Sequence, residues 1–382
     1  MKICIIANGF PDKRNPQWGC FERDQAVALK NAGHDVYILY VDKRFLAYWR
    51  KIGYSYLSEN GVKVYGLFLF PTQWIRWCFG SKIHYWLVTR MYDLVYKKCI
   101  KECSRPDVIY AHYLYNIAYA VFLKRKYCIP LVGIEHWSVL NQKSLTSFQR
   151  KQGRLAYDNV DKLLAVSQSL RNQIYKHFGV DSTVVYDMLG LEFITPIVLK
   201  RKKNDGLRYI AVGSLHPIKG YDVLINAFAK SGLNKQGCLL SIVGNGTERP
   251  LLEKLVKNLK LDNSVVLHGH KTKQEIIQLL SESHVFVLSS KAETFGVACI
   301  EALSQGLPAI ATKCGGPEEI IDKTNGIFVE TGDEDALAEA MKEMYANYNS
   351  YDSKAIADNC RNRFAPQVIA TQLVKIFNEI MN

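Results

Sequence analysis

Two glutamates, Glu293 and Glu301, lie eight residues apart around the start of a predicted helix. An apolar strand ends at Leu288, a short loop carries Glu293, and the helix begins near Phe295. The first N–H groups of a helix lack intrahelical partners and lie at its positive dipole end, so they attract an anion such as a phosphate. At about 1.5 Å per helical residue the two carboxylates stand roughly 10 Å apart. This spacing matches a ligand with hydroxyls at both ends and a diphosphate between them, such as a nucleotide sugar.

The alternative is an acidic loop residue and an unrelated helix glutamate. Glu301, however, shares a helix face with Val297 and Ser304 in an otherwise uncharged helix. A carboxylate without a function would be costly there, because burying an uncompensated charge is unfavourable. The pattern therefore favours a ligand.

A second group of candidates follows the predicted strand Pro130–Ile134 in the first half of the chain. His136 lies just beyond the carboxyl end of this strand, where doubly wound sheets bind ligands. A lone histidine is more often structural than functional, so its position alone leaves both interpretations open. His112, after the strand Asp107–Tyr110, is a weaker candidate, and Glu135 is expected to stabilise its surroundings rather than act as a nucleophile.

Three other patterns indicate no chemistry. Asp333 and Asp335 form a D-x-D pattern, but they open a predicted helix over 336–345, where acidic groups complement the helix dipole. The sequence contains no G-x4-G-K-[ST] motif, which argues against a kinase or ATPase. The ten cysteines form no C-x-x-C pair and no zinc-site arrangement with histidine, so we expect reduced core thiols and no metal site.

These candidates require alternating strands and helices, and the hydrophobic pattern provides them. Short apolar runs separated by helical stretches indicate the α/β class, with two doubly wound, Rossmann-like domains facing a cleft. The polar run 200–206 is predicted to be a linker. We therefore expect domains over 1–200 and 206–365, and a C-terminal helix over 366–382 that packs back toward the first domain.

The charge is distributed unevenly along the 382 residues. Residues 1–200 contain 28 Lys and Arg against 15 Asp and Glu, whereas residues 201–382 contain 21 of each kind. The first half thus carries the whole net charge of +13, which suits an anionic partner, either nucleic acid or a membrane surface. No apolar run approaches the ~20 residues of a spanning helix, and the N-terminus lacks a secretory pattern, so a cytoplasmic protein is predicted.

Within the basic half, residues 71–90 combine aromatic and cationic side chains and contain no acidic residue. The tryptophans and cations are Trp74, Trp77, Trp86, Arg76, Lys82 and Arg90. This mixture suits a segment in a membrane interface, with rings at headgroup depth and cations toward anionic lipid. The alternative is that these aromatics close the core of the first domain or line the cleft. The charge asymmetry favours the membrane interpretation.

Several motifs of the second domain occur together. They are the E-x7-E pair of Glu293 and Glu301, Gly306-Leu307-Pro308 and Gly315-Gly316-Pro317-Glu318-Glu319, with Val212–Gly220 and Val243–Gly246 earlier in the domain and Asn15–Phe21 in the first domain. Together they resemble the retaining glycosyltransferases of family 4, which have the GT-B architecture. The similarity is dense in the second domain and loose in the first.

The resemblance implies roles for the matching residues. Glu293 would hold hydroxyls of the donor sugar, Glu301 the ribose, and Lys219 the diphosphate, which gains charge as it leaves. His136 would lie close to the transferred sugar. The implied catalytic residues are His136, Lys219 and Glu293. The implied donor-binding residues are Gly19, Gly213, Ser214, Lys219, Gly244, Gly246, Glu293, Thr294, Phe295, Gly296, Val297 and Glu301.

One position departs from the family pattern. The family usually has arginine directly after the glycine where this chain has Ser214. Either another cation compensates, with Lys291 and Lys313 nearby in the sequence, or the diphosphate contacts are weaker here.

The reaction implied is transfer of a hexose-type unit from a nucleotide diphosphate sugar to a glycan or lipid-linked acceptor. Retention would follow from front-face attack, with no cofactor and no obligatory metal. The resemblance further implies bacterial surface polysaccharide assembly by a cytoplasmic protein, peripheral on the inner face of the plasma membrane where the acceptor is lipid-linked. The alternatives are a nucleotide-sugar epimerase of the same architecture and a nucleic-acid-binding protein. Because the sequence shows no reader motif or basic helix, no nucleic acid partner is expected.

Overall fold

The computed structural model describes residues 1–12, 15, 17–44, 51–195 and 206–381, and the chain divides into two compact units. Unit 1 contains Met1–Tyr186 together with Pro366–Asn382, and unit 2 contains Asp187–Ala365. The division falls before the predicted linker at 200–206, of which only Gly206 lies within the described residues. The C-terminal helix belongs to unit 1.

The segment after Tyr186 belongs to unit 2 because its backbone is hydrogen-bonded there. The N–H of Leu189 donates to the carbonyl of Phe364 at 2.9 Å. The carbonyl of Phe193 accepts from the side-chain amide of Gln305 at 3.0 Å. These hydrogen bonds attach the segment to unit 2. The boundary between the units therefore lies earlier in the chain than the polar run that was predicted to be the linker.

Unit 1 is built on a sheet with the strand order β3-β4-β2-β1-β5-β6-β7-β8. The strands are β1 Lys2–Ile6, β2 Asp35–Val41, β3 Gly53–Glu59, β4 Val62–Phe68, β5 Val108–His112, β6 Leu131–Glu135, β7 Lys162–Ala165 and β8 Thr183–Val184. The helices are α1 Cys20–Asn31, α2 Thr72–Cys103, α3 Leu114–Tyr127, α4 Ser147–Tyr157, α5 Gln168–Phe178 and α12 Pro366–Met381. Every residue of β5 and β6 is buried, as expected for central parallel strands covered on both faces.

One edge of this sheet is not parallel. β3 and β4 form an antiparallel hairpin, whereas the doubly wound domain predicted from the sequence is typically built on parallel strands. The connection is Asn60-Gly61, and both residues have positive φ, at 50° and 75°. This is the backbone of a tight hairpin turn, for which Asn-Gly is a preferred pair.

Unit 2 contains a six-stranded parallel sheet with the order β11-β10-β9-β12-β13-β14. The strands are β9 Arg208–Val212, β10 Leu239–Val243, β11 Val265–Gly269, β12 Val285–Leu288, β13 Ala309–Thr312 and β14 Gly326–Val329. The helices are α6 Tyr221–Ser231, α7 Arg249–Asn258, α8 Lys273–Glu282, α9 Val297–Ser304, α10 Glu334–Asn347 and α11 Ser353–Phe364. The strand order reverses between β9 and β12, and in unit 1 between β1 and β5. Ligands bind at the carboxyl ends of strands beside such a reversal.

The helix α2 is bent and amphipathic. It breaks at Gly80, where φ is 80° and ψ is 172°. Val88, Tyr92 and Val95 on its inner face are buried in unit 1. Over the described residues, no helix, α2 included, is long and apolar enough to cross a bilayer.

The acidic pattern behaves as predicted, and most of the cysteines lie in the core. All ten cysteines are free thiols, and six of them are buried. Asp333 caps α10 by accepting a hydrogen bond from the N–H of Ala336 at 2.8 Å. The D-x-D pattern therefore begins a helix.

Candidate active site

Unit 2 brings Lys219 and Glu293 together where its strand order reverses. Lys219 lies in the loop after β9 and Glu293 in the loop after β12, and these strands are neighbours in the sheet. The ammonium nitrogen of Lys219 lies 2.6 Å from Oε1 of Glu293, and the hydroxyl of Ser290 donates to the same oxygen at 2.7 Å. The side chains are 25% and 13% exposed, so a ligand can reach this ion pair.

Backbone hydrogen bonds connect the loops that carry the ion pair. The N–H of Lys291 donates to the carbonyl of Ile218 at 2.7 Å, which joins the loops after β12 and β9. Glu293 also pairs with the loop after β13. Its N–H donates to the carbonyl of Cys314 at 2.8 Å, and its carbonyl accepts from the N–H of Gly316 at 3.2 Å. Three loops at the carboxyl edge of the sheet are thereby connected around Glu293.

The helix α9 begins beside this ion pair. Gly296 is its N-cap and Val297 its first residue, so the helix starts slightly later than predicted. Glu301 lies partly buried within α9, and Thr294 is partly buried in the preceding loop. Only the second half of the interval between Glu293 and Glu301 is helical. The separation of roughly 10 Å between the two carboxylates assumed a helical rise over the whole interval, and that assumption is incorrect.

Phe295 anchors the loop before α9. Its side chain is buried, and its ring packs edge-on against Phe364 with a centroid distance of 5.6 Å. It can therefore offer a ligand only backbone groups.

Two glycines allow the loops after β9 and β10 to pack closely. A Cβ on Gly244, whose φ is 144°, would lie 1.8 Å from the carbonyl oxygen of Gly213. A Cβ on Gly246 would lie 2.3 Å from the carbonyl oxygen of Leu215. Backbone packing accounts for these residues, and the predicted donor contacts of Gly213, Gly244, Gly246 and the exposed Ser214 stay predictions.

The two cations considered as substitutes for an arginine at Ser214 differ in their surroundings. The ammonium nitrogen of Lys313 lies 2.5 Å from Oε1 of Glu330. Lys291 is exposed, and its backbone is hydrogen-bonded into the loop beside Lys219. Lys291 is therefore the better placed of the two.

In unit 1, Gly9 and Gly19, which lie between β1 and α1, approach each other closely. Gly19 is the N-cap of α1, with φ at 78°, and a Cβ there would lie 2.3 Å from the carbonyl oxygen of Gly9. Glu22, in the first turn of α1, is buried and accepts a hydrogen bond from the N–H of Asn8 at 2.9 Å. Glu22 was not among the candidates predicted from the sequence, where its position just inside the helix start was the available signal.

The two histidine candidates of unit 1 are paired. Nδ1 of His112, at the end of β5, lies 3.2 Å from Nε2 of His136, and their rings stack with centroids 5.2 Å apart. His112 is fully buried and His136 is 9% exposed. Burial, followed by the neighbouring His136, holds the pKa of His112 well below its usual value, so its ring is neutral.

Glu135, the last residue of β6, accepts hydrogen bonds from the backbone next to this histidine pair. Its carboxylate accepts from the N–H groups of His136 and Trp137 at 2.9 Å each, and from the hydroxyl of Tyr157 at 2.6 Å. Burial raises the pKa of Glu135 despite these donors. The carboxylate is enclosed and fully used in hydrogen bonds, in agreement with the predicted local role.

The structure also shows a partly buried cation, Lys43, that was not among the candidates predicted from the sequence. Lys43, two residues after β2, donates to Oδ1 of the buried Asn116 at 2.7 Å. Its ammonium nitrogen lies 5.6 and 5.2 Å from the ring centroids of Tyr92 and Tyr119. Burial lowers the pKa of Lys43 to about 8, although Asp42 opposes the shift. Its place just beyond a strand end was the signal in the sequence.

Comparison with known proteins gives consistent matches. Residues 23–188 match the model of Glycosyltransferase Family 4, and residues 198–363 match that of Glycosyl transferases group 1. An uncharacterized glycosyltransferase of Methanocaldococcus jannaschii is 28% identical over 254 residues, which cover 65% of this chain and 68% of that protein.

Two solved structures share the fold over nearly their whole length. Sucrose-phosphate synthase from Thermosynechococcus elongatus superimposes with a TM-score of 0.79 and 18% identity, covering 100% of this chain and 99% of that one. HepE of Anabaena, in complex with UDP and glucose, gives a TM-score of 0.76 and 18% identity, covering 99% and 100%. Since both units match glycosyltransferase models and the whole fold matches GT-B structures, this chain is a glycosyltransferase of the GT-B architecture.

Proposed function

We propose that the protein is a retaining glycosyltransferase that uses a nucleoside diphosphate sugar as its donor. The observation that carries the proposal is the ion pair between Lys219 and Glu293 beside the start of α9. A diphosphate requires positive charge, and sugar hydroxyls require acceptors such as a carboxylate. Both are present at the carboxyl edge of the unit 2 sheet, next to the N–H groups of a helix start.

Uridine diphosphate is the proposed nucleotide of the donor. The support is indirect: HepE, which shares the fold, was solved with UDP and glucose. In this chain, Glu301 is the proposed acceptor for the ribose hydroxyls, and Gly296 marks the helix start that would meet the phosphates.

The proposed step breaks the bond between the anomeric carbon and the diphosphate oxygen and forms a bond to the acceptor oxygen on the same face. The proton of the acceptor hydroxyl moves to the departing diphosphate. Lys219 stabilises the charge that grows on this leaving group. Since the cation and the helix start supply positive charge, the proposal includes no obligatory metal. His136 keeps its proposed role close to the transferred sugar.

Two measurements test the donor and the stereochemistry. Protection against heat denaturation is measured with UDP-, GDP-, ADP- and dTDP-linked sugars, because a ligand that binds only the folded state raises the melting temperature. With a stabilising α-linked donor, proton NMR then identifies the first product anomer. An α product supports retention, whereas a β product excludes it. Conversion of the donor into a different nucleotide sugar without transfer would indicate the epimerase instead.

The proposed acceptor is a glycan or a lipid-linked sugar in bacterial surface polysaccharide assembly, and the enzyme would act as a peripheral protein on the inner face of the membrane. The support is the charge asymmetry of the chain, since the whole net charge of +13 lies in residues 1–200. Transfer rates to a soluble oligosaccharide and to the same sugar on a polyprenyl diphosphate test this part. Equal rates at equal acceptor concentrations would favour a soluble acceptor.

A further inference from the structure

The outer face of α2 exposes an unusual number of large apolar side chains. Five of them are between 45% and 72% exposed. They are Trp74, Trp77, Phe79, Ile83 and Trp86. Such side chains usually form a core or an interface, so a contiguous exposed group of this size indicates a binding surface. They do not close the core of unit 1, which was one of the two alternatives left open by the sequence.

The spacing of the exposed residues that follow Gly80 places them on one side of the helix. After the break at Gly80, Ile83, Trp86 and Arg90 recur at intervals of three and four residues, which is the repeat of a helix face. The opposite side, with His84 and Val88, is buried in unit 1. The helix is therefore anchored through one face while the other presents indole rings to the solvent.

Positive charge adjoins the aromatic side chains. A cavity of about 380 Å³ is lined by Tyr85, Arg90, Phe122, Arg125 and Lys126. The guanidinium of Arg90 lies 5.7 Å from the ring centroids of Trp86 and Phe122. We call the exposed side chains Trp74, Trp77, Phe79, Ile83 and Trp86, together with Arg90 and Arg125, the aromatic-basic face.

The charges in this cavity are only partly compensated. Lys126 is paired with Asp93 at 2.7 Å. Arg125 donates to the amide oxygen of Asn159, a neutral group, at 2.6 Å. Among the ion pairs of the described residues, none involves Arg90 or Arg125. Two guanidinium groups are thus available to a phosphate, for which their planar donor geometry is suited.

We propose that the aromatic-basic face binds an anionic phospholipid bilayer. Indole rings prefer the boundary between headgroups and acyl chains, where their apolar body and polar N–H are both accommodated. Arg90 and Arg125 would contact lipid phosphates, and the stretch from 60 to 92, which contains no acidic residue, avoids repulsion from the anionic surface. The inference rests on the proposed function only for the lipid-linked acceptor, because bilayer binding itself requires no transfer reaction.

The test is co-sedimentation of the whole protein with two kinds of vesicle. One kind contains phosphatidylcholine alone, and the other contains phosphatidylcholine with about 30% phosphatidylglycerol, an anionic lipid. We expect binding to the anionic vesicles at low salt, weaker binding at high salt, and a blue shift of tryptophan fluorescence on binding. Removing both guanidinium groups in R90Q/R125Q should reduce the partition coefficient about thirtyfold, since each basic residue near the surface contributes about 1 kcal/mol. W74A/W86A should lower binding to both vesicle types.

A matched control is available on another helix of unit 1. Tyr175 is 62% exposed and Lys176 is also exposed, so Y175A/K176Q removes an aromatic ring and a cation from α5. This variant should bind vesicles like the wild type. The far-UV circular dichroism spectrum and the melting temperature of each variant, compared with the wild type, check that unit 1, which carries the replaced residues, is folded.

Three results would overturn the inference. They are failure to bind either vesicle type at low salt, wild-type binding by both variants of the aromatic-basic face, and equal loss in the α5 control. Salt-sensitive retention of RNA or DNA without vesicle binding would assign the charge to a nucleic acid instead. If vesicles are not bound while nucleotide sugars still protect the protein, only this inference fails and the proposed transferase stands.

Discussion

In unit 2 the ammonium group of Lys219 lies 2.6 Å from the carboxylate of Glu293, although the two residues are 74 positions apart in the chain. They meet because the strand order reverses between β9 and β12, which makes the loops after these strands neighbours. Before a donor binds, the carboxylate therefore compensates the charge proposed to stabilise the leaving diphosphate. A bound donor must therefore either share the ammonium group of Lys219 with Glu293 or replace Glu293 as the partner of that group.

Replacement of Lys219 by alanine should lower kcat more than it raises the donor KM, because charge on the leaving diphosphate grows toward the transition state. The loss expected for one electrostatic donor is about 100-fold in kcat. Steady-state rates at varied donor concentration measure both constants. Lys291→Ala is the control, since that exposed cation lies in the adjoining loop. An unchanged kcat in Lys219→Ala, with a large loss in Lys291→Ala, would move the role to Lys291.

Replacement of Glu301 by alanine should weaken binding of the free nucleoside diphosphate. The ribose hydroxyls would lose a charged acceptor worth roughly 1.5–3 kcal/mol, which is about a 10- to 100-fold increase in Kd. Isothermal titration calorimetry measures this directly. Glu339→Ala, on α10, controls for the loss of a helix carboxylate elsewhere in unit 2. Equal affinity of Glu301→Ala and the wild type would show that the ribose role is wrong.

Much of the framework followed from hydrophobic periodicity. The strands of both sheets are short apolar runs, and β5 and β6 are buried along their whole length, so their pattern is unambiguous. β3 is different, because most of its side chains are exposed and its pattern lacks a clear buried face. The Asn60-Gly61 turn was the better indicator of that hairpin.

The candidate site was predictable as residue types but not as geometry. Glu293 and Lys219 were both identified, yet their ion pair depends on strand order, which a single sequence does not encode locally. The contact between His112 and His136 has the same origin, since β5 and β6 are adjacent parallel strands. Lys43 escaped notice because a lysine after a strand is usually solvated, and its burial results from the aromatic rings of other elements.

His112 should act as a positioning residue for His136. The leucine variant His112→Leu retains bulk but removes the hydrogen bond between the two rings, so we expect a three- to tenfold decrease in kcat with little change in donor KM, as for loss of a neutral hydrogen bond of about 1 kcal/mol. His112→Asn, whose amide can replace Nδ1, should restore part of the rate. Stopped-time assays of product formation measure this series. Equal activity of all three proteins would leave the pair a purely structural contact.

Lys43 should make the stability of the protein depend on pH in the alkaline range. Its pKa is about 8 in the folded protein, whereas an unfolded lysine titrates near 10.4. Between these values the unfolded chain binds more protons, so the free energy of unfolding rises with pH. Below pH 8 both states carry the charge, and the cost of burying it is fully present.

The measurement compares urea unfolding of the wild type and Lys43→Met at pH 7.5 and pH 9.5. Buried cysteines and tyrosines titrate alike in both proteins, so their contributions cancel in the difference. We expect the wild type to gain about 1 kcal/mol relative to the variant over this interval, less than the full shift because Lys43 is only partly buried from solvent. Lys43→Arg, which stays charged throughout, should give the same gain when it replaces Lys43→Met in the comparison. A difference that does not change with pH would mean that Lys43 is solvated in the folded protein and that its contact with Asn116 is not maintained in solution.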